Sequence, residues 1–317
     1  MPGGAVVSPA GTGQPSSGSQ GRGSIPKGKM KKHIAAPMTL IFPAVVLYLI
    51  FFIWPAAIGL YYSFTNYKGM PKYKTVGLKN YTTLLADHDF WAALLRTFEF
   101  IICSVPLNVC ISLLAAILVT SRKAIGHTLA RTLFFIPWLV SPIITGLIWR
   151  WMFGEGFGIV NQVIQSFGGH GLRWATDANL SFAVLVLAGV WAGMAFNMLL
   201  FITALKNVPE SLYEAASLDG ANAWQRFVNV TLPGIAPTMF MVVLLGTIGG
   251  IKEFAMVQAL NGGGPGTSNR LVVQYIYETG FSNSRIGYAS AASMILLVIL
   301  VIVSLIQMWF NKRNGGK

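Results

Sequence analysis

FIICSVPLNVCISLLAAILVTS, residues Phe100–Ser121, runs without one Asp, Glu, Lys, Arg or His. A helix needs about 20 consecutive apolar residues to cross the hydrocarbon core of a bilayer, and this stretch has that length. The same pattern recurs at Ile34–Tyr67, Thr132–Trp149, Ala178–Leu205, Phe227–Ile251 and Ile286–Asn311. Thr132–Trp149 is the shortest and sits at the lower limit. The expectation is an all-α integral membrane protein with about six transmembrane helices and both termini on one side. Composition agrees. The 317 residues are 54% apolar and 10% charged, whereas soluble domains carry roughly 25% charged residues. A surface so poor in charge must largely face lipid.

The net charge of +13 does not point to nucleic acid. The basic residues scatter over segment ends and the N-terminal tail, a pattern of membrane topology rather than of a binding patch. With both termini cytoplasmic, the inner side holds Arg22, Lys27, Lys29, Lys31, Lys32, Arg122, Lys123, Arg131, Lys206, Arg226, Lys312, Arg313 and Lys317, more than half of the 23 Lys and Arg. The Lys-rich segment Lys68–Lys79 works against this orientation. Trp138, Trp149, Trp151 and Trp309 stand near span ends, as interfacial aromatics do. Residues 1–26 are rich in Gly, Ser and Pro, too poor in apolar side chains to offset chain entropy. No apolar h-region follows Met1, so a cleaved signal peptide is not expected. The domains read as a disordered basic tail (1–33), a membrane domain (34–311) and a C-terminal tail (312–317). Cys103 and Cys110 lie seven apart in one apolar segment and read as packing residues. No CxxC or His/Cys cluster suggests a structural metal.

The segment 206–226, KNVPESLYEAASLDGANAWQR, is too patterned to be a tether. Pro209 suits a first helical turn and Gly220 a C-terminal stop. Leu212, Ala215, Ala216 and Leu218 give a weakly apolar side, and Asn222 can cap a second short helix. Such a helix–turn–helix either docks another protein or lies on lipid. Polar and small residues inside the spans are the candidates for a transport path. Trp191 and Phe196 offer flat apolar faces, and Asn197 offers a donor and an acceptor. Gly246, Gly249 and Gly250 either loosen the fifth span or let helices pack closely. Lys252 and Glu253 put charge near its outer half. Glu253 can accept hydrogen bonds from sugar hydroxyls, or can be an interfacial charge. The run Gly23–Lys29 imitates a P-loop but has Met30 where Ser or Thr should hold Mg²⁺. GGGPG at 262–266 has no following Lys. No catalytic constellation appears, so the chain reads as a non-enzyme.

Glu214-Ala215-Ala216, then Gly220, then Val230-x-Leu232-Pro233 resembles the EAA motif of binding-protein-dependent ABC importer permeases, with Val230 at the usual Ile. Val76–Thr97, Arg131–Phe153, Asn261–Phe281 and Gly287–Ser293 resemble the sugar class of these permeases, the maltose and glycerol-phosphate type of first subunit. The resemblance implies a type I importer fold in the cell membrane. It implies that 206–226 is a coupling helix seated on a cytoplasmic ATPase through Glu214, Ala215, Ala216, Asp219 and Gly220. By the same resemblance Trp191, Gly193, Phe196, Gly246, Gly249, Gly250 and Glu253 fall at substrate-pathway positions, Phe196 where the maltose type has Tyr. The implied partners are a second permease subunit, two ATPase subunits holding the ATP and Mg²⁺, an extracytoplasmic sugar-binding protein, the sugar and lipid. This chain itself is expected to bind no cofactor. The rival reading is a secondary carrier or channel for a small polar solute, which the lack of an inverted repeat disfavours.

Overall fold

The computed structural model describes residues 41–120 and 134–314. The tail at 1–33, the basic residues Arg122, Lys123 and Arg131, and residues 315–317 lie outside that description. The chain divides into two compact units, through Ala56 and from Ala57. The first is described from Ile41 as the beginning of helix α1 (Ile41–Ser63). It is apolar on every side, with Phe42, Phe51, Phe52 and Trp54 exposed and Tyr48 stacked on Phe52 at 5.2 Å. A helix of that kind belongs in lipid.

The second unit continues through α2 (Lys79–Leu85), α3 (His88–Thr120), α4 (Pro142–Met152), α5 (Ile159–Ser166), α6 (Ala178–Asn207) and α7 (Glu210–Leu218). Then come α8 (Ala223–Ile251), α9 (Ala255–Leu260), α10 (Val272–Tyr277) and α11 (Ile286–Asn314). An isolated bridge, Thr65 to Thr75, is the nearest approach to a sheet among the described residues. There, five helices are long and apolar enough to span a membrane: α1, α3, α6, α8 and α11. The third apolar stretch of the sequence is not one helix. A short helix at 134–139 stops, and α4 starts afresh at Pro142. Proline lacks an N–H and pushes its predecessor out of the helical region, so Ser141 is extended at ψ 144°.

Lipid supplies no hydrophobic force between helices, so close packing over small residues has to hold them. Whether the glycines serve packing or a site therefore has a separate answer at each position. A Cβ on Gly250 would meet Ile101 Cγ1 at 2.7 Å, and one on Gly193 would meet Asn108 Nδ2 at 2.8 Å. Gly246 lies against Val105 at 3.3 Å, whereas a Cβ on Gly249 would meet nothing within 4 Å. The first three let α8 and α6 press onto α3, and Gly249 does not.

This packing also fixes where α8 ends. Ile251 is buried with Ile101 and Val105, and Leu296 and Leu300 pack on that cluster. From His88 to Ile101 a helix rises about 20 Å, and from Ile286 to Leu296 about 15 Å. The end of α8 thus lies near the midpoints of α3 and α11. The polypeptide breaks there over Lys252–Phe254 and resumes as α9. The sequence places this charge pair near the outer half of the span; the structure places it in the break between α8 and α9.

At the end of the bundle where α3 and α11 begin, Asp87 ties three elements together. Its Oδ2 accepts from the Tyr275 hydroxyl at 2.6 Å and the Tyr288 hydroxyl at 2.7 Å. Its Oδ1 accepts from the N–H of Asp89 and of Phe90, capping α3. Burial raises the Asp87 pKa, but these four donors outweigh it and hold the carboxyl below its usual range. Nearby, Arg96 donates twice to Asn269 Oδ1, and Asn269 donates to the carbonyls of Ala178 and Gly264. A carboxylate with a lowered folded pKa stabilises the fold above its unfolded value of about 3.9, and that contribution is lost as pH falls through the folded value. Thermal unfolding in detergent from pH 6 down to pH 3 is expected to show this loss, with a shallower acid slope for Asp87→Asn.

Candidate functional site

A cavity of about 610 Å³ lies between α3, α4, α6 and α8. Each wall follows from the packing just described. Gly189 and Gly193 bring α6 toward α3, and Gly246 and Gly250 bring α8 toward it, while Gly249 leaves a gap. The break before α4 lets Trp138 of the short helix at 134–139 reach across to α6. Its indole stacks on Phe196 at 4.7 Å, with the ring planes 17° apart.

The polar groups of the cavity form a small network. Asn108 Nδ2 donates to the Val190 carbonyl at 2.9 Å, and its Oδ1 accepts from Asn197 Nδ2 at 2.6 Å and Ser112 Oγ at 3.1 Å. On the opposite wall Thr145 is fully buried, and its Oγ1 has no partner. Glu253 Oε1 accepts from the N–H of Phe254 at 3.0 Å and of Met256 at 3.1 Å. It so caps α9, whose first N–H groups the break has left without partners. Oε2 takes part in neither bond. Lys252 and Glu253 form no ion pair with each other.

Of the substrate-pathway residues suggested by the sequence, Gly193, Phe196, Gly246, Gly249, Gly250 and Glu253 line this one cavity. Trp191 does not. It lies edge-on to Trp149 at 6.2 Å, beside the packed rings of Phe153 and Trp174. The cavity adds Asn108 and Thr145, which sequence reading passed over, and Trp138, which it took for an interfacial aromatic. A lone amide inside a charge-free run was the available signal for Asn108.

The second candidate region, 206–226, is an exposed helical hairpin. α6 stops before Pro209, and α7 follows with no buried residue. Gly220 ends it at φ +75°, a backbone conformation that glycine adopts without strain. The Gly220 N–H donates to the Ser217 carbonyl and the Ala221 N–H to the Ala216 carbonyl, the paired bonds of a Schellman stop. Asn222 and Gln225 then form a reciprocal capping box at the start of α8. Tyr213 and Thr231 hydroxyls meet at 3.0 Å, and Arg226 donates to Ser217 Oγ. Glu210, Tyr213, Glu214, Ser217 and Leu218 line an open groove on one face of α7.

Residues 87–315 match the family model described as "Binding-protein-dependent transport system inner membrane component". The chain belongs to this family. It is therefore a multi-pass permease subunit of a transport system whose ATPase is a separate subunit. It is 33% identical over 277 residues to the probable starch degradation products transport system permease protein AmyD of Thermoanaerobacterium thermosulfurigenes, covering 86% of this chain and 93% of that protein. The sn-glycerol-3-phosphate transport system permease protein UgpA of Agrobacterium fabrum is 31% identical, covering 88% and 95%. The arabinooligosaccharides transport system permease protein AraP of Bacillus subtilis is 32% identical, covering 89% and 90%. Among solved structures, a bacterial alginate ABC transporter, crystallised with its alginate pentasaccharide-bound periplasmic protein, shares the fold. Its TM-score is 0.79 at 21% identity, covering 91% of this chain and 98% of that one.

Asn108→Ala would leave the half-buried Asn197 amide of this permease short of an acceptor and remove the side-chain bond to the Val190 carbonyl, while the Ser112 hydroxyl keeps the Met194 carbonyl. A loss of about 1–3 kcal/mol is expected, seen as a lower melting temperature in detergent. Gly250→Val should destabilise similarly by overpacking on Ile101, and Gly249→Ala should not.

Proposed function

We propose that this permease subunit forms half of the import pathway for a neutral carbohydrate. In this reading both termini are cytoplasmic. A sugar-binding protein delivers the ligand at the outer end, where α3, α6 and α11 begin. A second permease subunit completes the pore. Two cytoplasmic ATPase subunits hold the ATP and Mg²⁺, one of them seated on the α7 hairpin, and this chain holds no cofactor. Closure of the ATPases draws the coupling hairpins together and rocks the bundle between its two open states.

The observation that carries the reading is the lining of the cavity. It joins a stacked aromatic wall to amides, a free hydroxyl and one carboxylate, and no Lys, Arg or His among its described residues. The flat faces of Trp138 and Phe196 suit the apolar face of a sugar ring. Asn197 and Glu253 suit its hydroxyls. The relatives divide on this chemistry, since some are named for starch products or arabinooligosaccharides and others for glycerol-3-phosphate. A phosphate about 4 Å from Glu253 would be repelled by roughly 4 kcal/mol at an effective dielectric near 20. The neutral class fits better.

The test is ATP-driven uptake into proteoliposomes holding the whole transporter with its binding protein. Uptake of neutral oligosaccharides is expected, with at least a tenfold fall for Glu253→Ala and a smaller one for Glu253→Gln. Preferential uptake of sn-glycerol-3-phosphate would overturn the substrate class. Gly220→Asp should strip the ATPase from the purified complex, because an L-residue at this φ strains the hairpin stop. A wild-type subunit that binds no ATPase would sink the assignment.

A further inference from the structure

Lys68, Lys72, Lys74 and Lys79 lie at the end of the bundle that the proposed orientation puts outside, where the positive-inside rule disfavours them. Their segment is not a loose loop. The N–H groups of Asn66 and Val76 donate to the carbonyls of Lys74 and Phe64, which makes 64–76 a small hairpin. Asn80 Nδ2 donates to the carbonyls of Ser63 and Thr65, each at 2.8 Å. The Gly287 N–H donates to the Tyr67 carbonyl at 2.9 Å. A Cβ on Gly287 would collide with the Thr65 carbonyl, and one on Gly69 would touch Ile286 Cδ1 at 3.5 Å. Ile286 is the first residue of the α11 span. The hairpin is therefore clamped at the level where a spanning helix enters the bilayer.

Its side chains suit that level. Tyr62 stacks on Tyr67 at 4.3 Å, and Tyr73 meets the two edge-on at 5.8 and 5.2 Å. Tyrosine is enriched where membrane meets water. The four lysines are exposed, and none forms an ion pair among the described residues. Residues 57–86 contain no Asp or Glu. Met70, between Lys68 and Lys72, is 70% exposed, and Leu78, beside Lys79, is 64% exposed. Lysine stems lie well in an apolar layer while their ammonium groups reach toward phosphate. An acidic protein surface would answer the lysines alone. A bilayer answers the lysines and the apolar side chains together.

We infer that this hairpin is a seat for anionic phospholipid. Headgroup phosphates pair with Lys68, Lys72, Lys74 and Lys79, and Met70 dips below them into the acyl boundary. The bound lipid holds the first turn of α11 at a fixed depth through the Tyr67–Gly287 bond.

Depth-dependent quenching tests it. In a Cys103→Ser, Cys110→Ser background, Met70→Cys carries an environment-sensitive fluorophore, and the whole transporter is placed in nanodiscs. The quencher is phosphatidylcholine spin-labelled near its headgroup. Quenching about threefold stronger is expected in discs rich in phosphatidylglycerol than in phosphatidylcholine alone. It should fall back in about 1 M NaCl, where the Debye length is about 3 Å. It should also fall back when Lys68→Gln, Lys72→Gln, Lys74→Gln and Lys79→Gln are combined, and persist when all four become Arg. Equal quenching in both lipids would overturn the charge pairing, and none in either would overturn the membrane seat. Quenching present in the lone subunit but lost on adding the other subunits or the sugar-loaded binding protein would overturn it too, because a protein would be the cover. Inorganic phosphate should weaken quenching no more than NaCl of equal ionic strength; a larger effect would make this a free-anion site instead. An impermeant maleimide should label Met70→Cys on intact cells. Labelling only after lysis would overturn the proposed orientation, not the lipid seat.

Discussion

A backbone N–H inside a membrane has no water to turn to, so every helix that stops there must find its own acceptor. α8 stops in the middle of the bundle, and Glu253 answers the requirement by taking the N–H groups of Phe254 and Met256 on one oxygen. The carboxylate is first a structural cap for α9. Glu253 is also the one acidic residue in the lining of the cavity. The break, the charge and the opening are therefore one feature.

Around it, helix contact is set by residue size. Gly193 and Gly250 admit Asn108 and Ile101 where any side chain would collide, and Gly249 admits nothing of this chain. The Asn108 network lies in the same layer and supplies direction to contacts that are otherwise only close. Farther along, Asp87 and the Arg96–Asn269 pair fasten the loops to the helices that bear them. The middle of the bundle is packed over glycine and opens into a cavity, while one end is tied by charge-assisted hydrogen bonds.

Hydropathy alone placed the long helices, because a run such as Phe100–Ser121 has one stable environment. It read Thr132–Trp149 as one helix, since a window average does not register how Pro142 breaks the backbone. The hairpin at 206–226 was legible in detail, because Pro209, Gly220 and Asn222 act through local backbone geometry. Among the pathway residues, Gly193, Phe196, Gly246, Gly249, Gly250 and Glu253 converge on one space. Trp191 turns away toward Trp149, and no count along a helix says which neighbour an indole will choose. The place of Thr145 and of Trp138 in the cavity was invisible because it depends on the break at Ser141.

α7 is held at both ends by its own stop and by bonds to α8, yet it buries none of its side chains. Folding therefore places almost no demand on the outward residues of this short helix. They can change to match a different neighbour while the hinge residues keep its angle. If an ATPase docks on this hairpin as proposed, one motor can be exchanged for another, or shared among several transporters, without disturbing the cavity.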